Sequence, residues 1–318
     1  MSNAPRRAVS AWLAYARLCR LPNVFTAVAD IAMGFLVARQ CLEPLGAFFC
    51  LAASSALLYT AGMVLNDVFD FEIDARERPF RPLPAGQIAL PLARAVGLTM
   101  LLLGIAFGGM AGWVYSFTWP WRSGLVALAI AGCVLLYDGF LKRTPFGPVG
   151  MGLCRFGNVL LGMSAGADLG GDEWFARFPP AAILPAAGIG TYIIGVTWFA
   201  RGEAGKSQVW QLLGGVLMMT LGVALLAYSH RYLPAPKLSQ GMFTLALALL
   251  GLTILRRCGA AMLNPSPERV QAAVKQGIIS LILFDAAISA QVAPTGYAVA
   301  VVALVIPMLL LGKWVYST

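Results

Sequence analysis

Charge is scarce in this chain. Of 318 residues, 12% are charged and 59% hydrophobic, and the mean hydropathy is +0.77. A soluble domain carries about 25% charged residues, so too little polar surface is available here to face water. That excludes a soluble globular fold and leaves an all-α integral membrane protein. Histidine is almost missing: His230 is the only one, in a loop beside Arg231 where it is expected to be solvated, which argues against a histidine general base. The six cysteines (Cys19, Cys41, Cys50, Cys133, Cys154 and Cys258) form no CxxC pair, which speaks against a zinc site or a disulfide framework. They read as small apolar fillers. No Lys/Arg tract is interleaved with exposed aromatics, so the net charge of +9 is assigned to basic loops facing anionic lipid and not to nucleic acid. No long polar linker or short-period repeat divides the sequence, and residues 1–318 read as a single domain. Residues 1–22 are polar and basic and many apolar runs follow the first, so a cleaved signal peptide is not expected.

Long apolar runs are what the chain has in abundance. A helix needs about 20 mostly apolar residues to cross the hydrocarbon. Ten stretches qualify, at 22–40, 44–65, 91–113, 121–138, 146–167, 180–200, 208–229, 238–256, 270–290 and 295–314. Glycine, alanine and serine recur through them, as close helix approach in lipid requires. With the N-terminus placed in the cytoplasm, 18 of the 23 basic residues fall at inner ends and 5 at outer ends. Such a bias supports ten spans with both termini inside.

Acidic residues are rarer still, at 14, yet five of them (Asp67, Asp70, Glu72, Asp74 and Glu77) lie within eleven positions after the second span. The spacing of Asp67, Asp70 and Asp74 puts three carboxylates within about 60° of one another on a regular helix, with Glu72 pointing away. Like charges on one stripe repel, and hard oxygen donors of this kind suit Mg²⁺. An EF-hand loop does not fit, because its ligands alternate around a central glycine that is missing here. The following "RERPFRPLPAG" is rich in proline and must leave the helix as a loop. Its Arg78 and Arg81 are suited to phosphate oxygens that Mg²⁺ also bridges. Carboxylates, a divalent cation and arginines together suit a diphosphate, and the acidic cluster lies at the cytoplasmic face.

The stretch "NDVFDFEIDARERPFRPLPAG" resembles the first signature of the UbiA superfamily of intramembrane prenyltransferases, NDxxDxxxD followed by RPxRPLxxG. "RLPNVFTAVADIAMG" in the first span and "YDGFLKRTPFG" after the fourth are similar to family stretches too, and the nearest pattern is that of the EboC-like branch. The resemblance implies nine helices bundled around a central cavity, in a multi-pass protein of the cell membrane whose active site faces the cytoplasm. It also implies Mg²⁺-dependent transfer of an allylic prenyl group from its diphosphate to an unidentified acceptor. Carried over residue by residue, Asn66, Asp67, Asp70 and Asp74 are the catalytic set, the three aspartates binding the metal. Asn23, Arg78, Arg81, Lys142 and Arg143 hold the diphosphate end.

The family's second aspartate-rich motif is missing. In its place stands "TWFARGEAGKSQ", with one glutamate, Glu203, and two cations, Arg201 and Lys206. Either these cations replace a second metal as fixed positive charge on the diphosphate, or prenyl transfer is lost and the chain only binds or transports a prenyl or lipid diphosphate. A tenth span also exceeds the family's nine.

Several polar residues fall inside or beside spans. Asp30 lies in the family-like first span and is read as facing the cavity or bonded to neighbouring helices; for Asp285 the second reading is preferred. Arg155 and Asn158 lie about one turn apart, and Arg155 either reaches the phosphates or snorkels to the surface. The fourth span ends on Tyr137 and Asp138. Trp113, Trp119, Trp121 and Trp174 collect near outer ends, as an interfacial belt does.

Overall fold

A computed structural model describes residues 11–115, 119–166, 178–201 and 208–315. Its helices are α1 (Ala11–Leu18), α2 (Leu21–Arg39), α3 (Leu45–Phe69), α4 (Phe71–Glu77), α5 (Leu90–Val114), α6 (Arg122–Gly139), α7 (Gly147–Met163), α8 (Pro180–Ala200), α9 (Val209–Ser229), α10 (Gln240–Leu263), α11 (Pro267–Val292), α12 (Thr295–Ala303) and α13 (Val305–Val315). Proline opens many of them: Pro22, Pro91, Pro148, Pro180 and Pro267 sit in the first two positions, where a missing N–H costs nothing. Among the described residues, nine helices are long and apolar enough to cross a membrane, α12 and α13 counting as one kinked span. The tenth expected span is α7, with 17 residues in the helix, about 25 Å long and so short of the full hydrocarbon thickness.

Two arginines complete the end of that short helix. Arg39 donates to the Ala165 carbonyl at 2.9 Å, and Arg122 donates to Ser164 and Gly166 at 2.9 and 2.6 Å. Carbonyls that a helix end leaves unpaired are costly in an apolar setting, and the guanidinium forks satisfy them. Both arginines belong to the outer set of the charge count. Arg20, Arg81, Lys142, Arg143 and Arg201 gather at the opposite end of the bundle, as the charge bias requires.

Successive long helices pack side by side from α2 round to α11, and α11 returns to α2; α2 also packs directly on α7. That contact divides the ring into two halves. The buried share of α2 is 72%, against 22% for the peripheral α5 and α10, which identifies α2 as a central helix. The half formed by α7 to α11 has an apolar core: Tyr192 stacks edge-on against Phe284 at 5.2 Å and donates to the Gly277 carbonyl at 3.0 Å, with Phe199 and Phe243 buried in the same cluster. The half formed by α2, α3, α6 and α7 encloses a cavity. His230, expected to be solvated, is instead buried. Its ring lies 5.4 Å from Phe243 and its Nε2 is 2.8 Å from the Leu238 carbonyl, because the chain turns tightly after α9 and folds the side chain inward.

Helices α8 and α9 meet through glycines spaced by seven. A Cβ on Gly195 would stand 2.5 Å from the Met219 nitrogen and 2.6 Å from the Gly215 carbonyl oxygen. Backbone cannot yield as a side chain does, so Gly195→Ala is expected to cost about 1–3 kcal/mol through overpacking. Thermal unfolding in detergent checks this, with Gly259→Ala as the control: a Cβ there meets nothing within 4 Å, and its melting temperature should not fall.

Candidate active site

Helix α3 has 25 residues, about 37 Å of helix, and therefore carries its last turn beyond the hydrocarbon. Asn66 and Asp67 lie on that turn. The helix ends at Phe69, and Asp70 takes φ −93° and ψ 3° before α4 resumes. The three carboxylates consequently do not form one stripe on a regular helix. Arg81 bridges Asp74 at 2.6 Å and Asp67 at 3.5 Å, while Asp70 turns to Lys142 at 2.8 Å and Arg143 at 4.0 Å. The break at Asp70 is the physical reason, and among the described residues no three His, Cys, Asp or Glu side chains form a ready metal cluster. Glu72 is exposed, as the spacing anticipated.

The proline-rich loop is held in place by apolar contacts. Leu83 and Ile88 enter a small cluster with Ala14 and Leu18 of α1, Val64 of α3 and Ala93 of α5. Successive turns follow, with backbone bonds from Arg81 to Arg78 and from Ala85 to Arg81, and Gly86 adopts φ +70°, which glycine takes at no steric cost. This fold aims Arg81 at the carboxylates. Arg78, at the end of α4, makes no ion pair with them among the described residues.

Three further chains of contact complete the cluster. Lys142 donates to Asn66 Oδ1 at 3.2 Å and lies over the Phe69 ring at 6.0 Å. Arg143 reaches the Phe69 carbonyl at 3.5 Å. Arg20 precedes α2 in a left-handed conformation (φ 45°) and stands 3.6 Å from Asp67. Sequence reasoning used Arg20 only as a topological charge; its position next to the Pro-initiated start of α2 was the available signal. Asn23 lies on the first turn of α2, half-buried. Arg201 ends α8 and donates to the Thr144 carbonyl, so it fastens the loop that carries Lys142 and Arg143. Lys206 and Glu203 lie outside the described residues, as does Trp174.

Beneath this charged end is the cavity, of about 60 Å³, with walls from Ala27, Tyr59, Met63, Tyr137, Asp138 and Arg155 among others. Met63 precedes Asp67 by four residues and Asp138 precedes Lys142 by four, so the ion pairs stand about one helical turn beyond the cavity. The deep end is polar. Arg155 bonds Asp30 at 2.8 Å and Thr26 at 2.6 Å, and its guanidinium lies 5.3 Å from the Tyr59 ring centre. Asn158 bonds Asp30 and the Ala27 carbonyl, both at 2.9 Å, and accepts from Ser55 at 2.6 Å. Asp285 is also fully buried, and neither of its carboxyl oxygens has a hydrogen-bond partner among the described residues. Arg155 therefore neither snorkels nor reaches the phosphate-type cluster; it is locked inside the bundle.

An all-helical, multi-pass membrane protein with clustered carboxylates and cations over an apolar cavity is the class defined so far. The chain belongs to the UbiA prenyltransferase family, whose pattern matches residues 27–266. It is similar to the digeranylgeranylglyceryl phosphate synthase of Saccharolobus solfataricus, 31% identical over 170 residues, covering 51% of this chain and 54% of that one. The synthase of Ignicoccus hospitalis is 28% identical over 273 residues, covering 81% and 84% of the two chains. In the first of these alignments the chain spans about half the length of its relative. The fold is shared with a UbiA homolog from Aeropyrum pernix K1 at TM-score 0.63 and 20% identity, over 83% of this chain and 96% of that one. A UbiA homolog from Archaeoglobus fulgidus bound to DMAPP and Mg²⁺ matches at TM-score 0.60 and 18% identity, over 91% and 99%.

Proposed function

We propose that this chain transfers an allylic prenyl group from its diphosphate to an acceptor, at an active site facing the cytoplasm. The observation that carries the reading is the convergence of Asp67, Asp70, Asp74, Arg20, Arg81, Lys142 and Arg143 at one end of a cavity whose walls are otherwise largely apolar. Lys142, Arg143 and Arg81 carry the positive charge that a departing diphosphate needs. The largely apolar walls exclude water from the allylic cation left behind, and the aromatic side chains of Tyr59 and Tyr137 are part of that lining. Asn66 Oδ1 and the aspartate carboxylates are all hard oxygen donors and fit Mg²⁺, provided Lys142 or Arg81 yields its place. When bound, Mg²⁺ neutralises charge on the leaving diphosphate. The similarity to digeranylgeranylglyceryl phosphate synthases, and to the fold of an Archaeoglobus fulgidus homolog bound to DMAPP and Mg²⁺, supports the same chemistry.

Purified protein in detergent, Mg²⁺ and a panel of labelled allylic diphosphates, with membrane lipid extract as acceptor, tests the reading. Diphosphate release coupled to label in lipid supports it. Tight binding with the labelled diphosphate recovered intact favours the non-catalytic binder or transporter, the reading suggested by the missing second aspartate motif. Mg²⁺ titration should fit one site. Because Arg201 holds the Thr144 carbonyl beside Lys142 and Arg143, Arg201→Ala is expected to weaken diphosphate binding by roughly tenfold, the scale of one charge-assisted hydrogen bond. Unchanged binding would remove Arg201 from the site.

A further inference from the structure

Asp138 is the one acidic side chain in the cavity wall that the diphosphate chemistry leaves without a task. It is 2% exposed, lines the cavity beside Tyr137, and its Oδ2 is buried with no hydrogen-bond partner. A buried carboxylate oxygen without a donor is expensive, and this one belongs to a residue that lines a cavity, where a bound ligand can supply the donor. Its neighbours are informative. Lys142, four residues on, is already committed to Asp70 and Asn66. Asp138 thus stands about one turn below the diphosphate end, at the depth where the first carbon of a prenyl chain would lie once its diphosphate engages the cations above.

Resting on the prenyl-transfer reading, we propose that Asp138 is a catalytic residue that binds the acceptor through a hydroxyl and takes that hydroxyl's proton. The allylic C–O bond to diphosphate breaks with its electron pair going to the diphosphate oxygen. An oxygen lone pair of the acceptor forms the new C–O bond to the allylic carbon, and the O–H proton passes to the Asp138 carboxylate. The product is an ether, and the substrate class is a membrane-soluble alcohol. In a cavity whose wall is largely apolar, a carboxylate beside the acceptor receives the proton without a path to bulk water. Among the described residues the only histidine, His230, is bonded to Leu238 and is not part of the cavity wall.

The test separates this assignment from the parent reading. Wild type, Asp138→Asn and Asp138→Ala are compared in three measurements: Mg²⁺-dependent binding of geranylgeranyl thiodiphosphate, acceptor-free diphosphate release from geranylgeranyl diphosphate, and transfer to membrane lipid extract. For Asp138→Asn, binding and acceptor-free release should stay within about threefold of wild type. Transfer should fall on the order of a hundredfold to ten-thousandfold, the range for loss of a general base. Formate should restore part of the transfer in Asp138→Ala, where truncation leaves room for it. Transfer by Asp138→Asn at the wild-type rate overturns the assignment alone. Loss of binding, or an equal fall in acceptor-free release, also overturns it, since the carboxylate would then serve the diphosphate or the cation. A wild type that binds the thiodiphosphate yet transfers nothing overturns the parent reading and this assignment together.

Discussion

Asp70→Ala is expected to reduce Mg²⁺-dependent binding of an allylic diphosphate on the order of a hundredfold, while Glu72→Ala leaves it within about twofold. The two residues are neighbours with opposite environments. Asp70 sits at the break between α3 and α4 and holds Lys142 at 2.8 Å and Arg143 at 4.0 Å. Its removal deletes an oxygen donor for the metal and also takes away the carboxylate that positions the two cations. Glu72 is exposed. Isothermal titration with a thiodiphosphate analogue, with and without Mg²⁺, reads both variants. Equal losses would mean that bulk negative charge matters and the position of Asp70 does not.

Arg155→Leu is expected to cost roughly 3–5 kcal/mol of stability, the loss typical of removing one partner from a buried ion pair. Asp30 is fully buried, and its Oδ2 accepts from Arg155 and Asn158. Asp285, equally buried, has no hydrogen-bond partner for either carboxyl oxygen among the described residues. Taking away the guanidinium leaves two carboxyl groups among apolar helices. Arg155→Lys keeps the charge but gives up the fork that reaches both Asp30 and Thr26, so a smaller loss is expected. Combining Arg155→Leu with Asp30→Asn should recover part of the loss, because the two sites are directly coupled. Thermal unfolding of wild type, Arg155→Leu, Asp30→Asn and the double variant in one detergent reads the cycle. Strict additivity would show that the pair contributes nothing beyond its separate residues.

The helices were legible in sequence because lipid leaves few alternatives: long apolar runs and the distribution of 23 basic residues located them. All ten expected spans have a helix. The acidic cluster stood out because acidic residues are so rare in this chain, and Asp67, Asp70 and Asp74 gather with Arg81, Lys142 and Arg143, while Arg78 stays apart and Arg20 joins. The geometry of the cluster was not legible. A regular helix through Asp67, Asp70 and Asp74 was expected, but the chain breaks at Asp70, and the aspartates divide between Arg81 and Lys142. Tertiary contacts decide that, and periodicity carries no record of them. Arg20 was passed over as a site residue because it is far in sequence from Asp67 and approaches it only when α2 packs beside α3. Arg155 was read as reaching the phosphates or snorkelling to the surface, and does neither, because its partners, Asp30 and Thr26, lie more than a hundred positions away. Burial of His230 follows from a turn after α9 that local sequence did not announce.

The central claim is that the charged end and the cavity below it carry out prenyl transfer. One measurement addresses it directly: the wild-type protein in lipid nanodiscs, incubated with Mg²⁺, membrane lipid extract and an allylic diphosphate labelled at its first carbon. The account predicts that label enters the lipid fraction in step with diphosphate release, and that chelation of Mg²⁺ stops both. Bound substrate recovered with its diphosphate intact, at every chain length tested and with Mg²⁺ present, would contradict it.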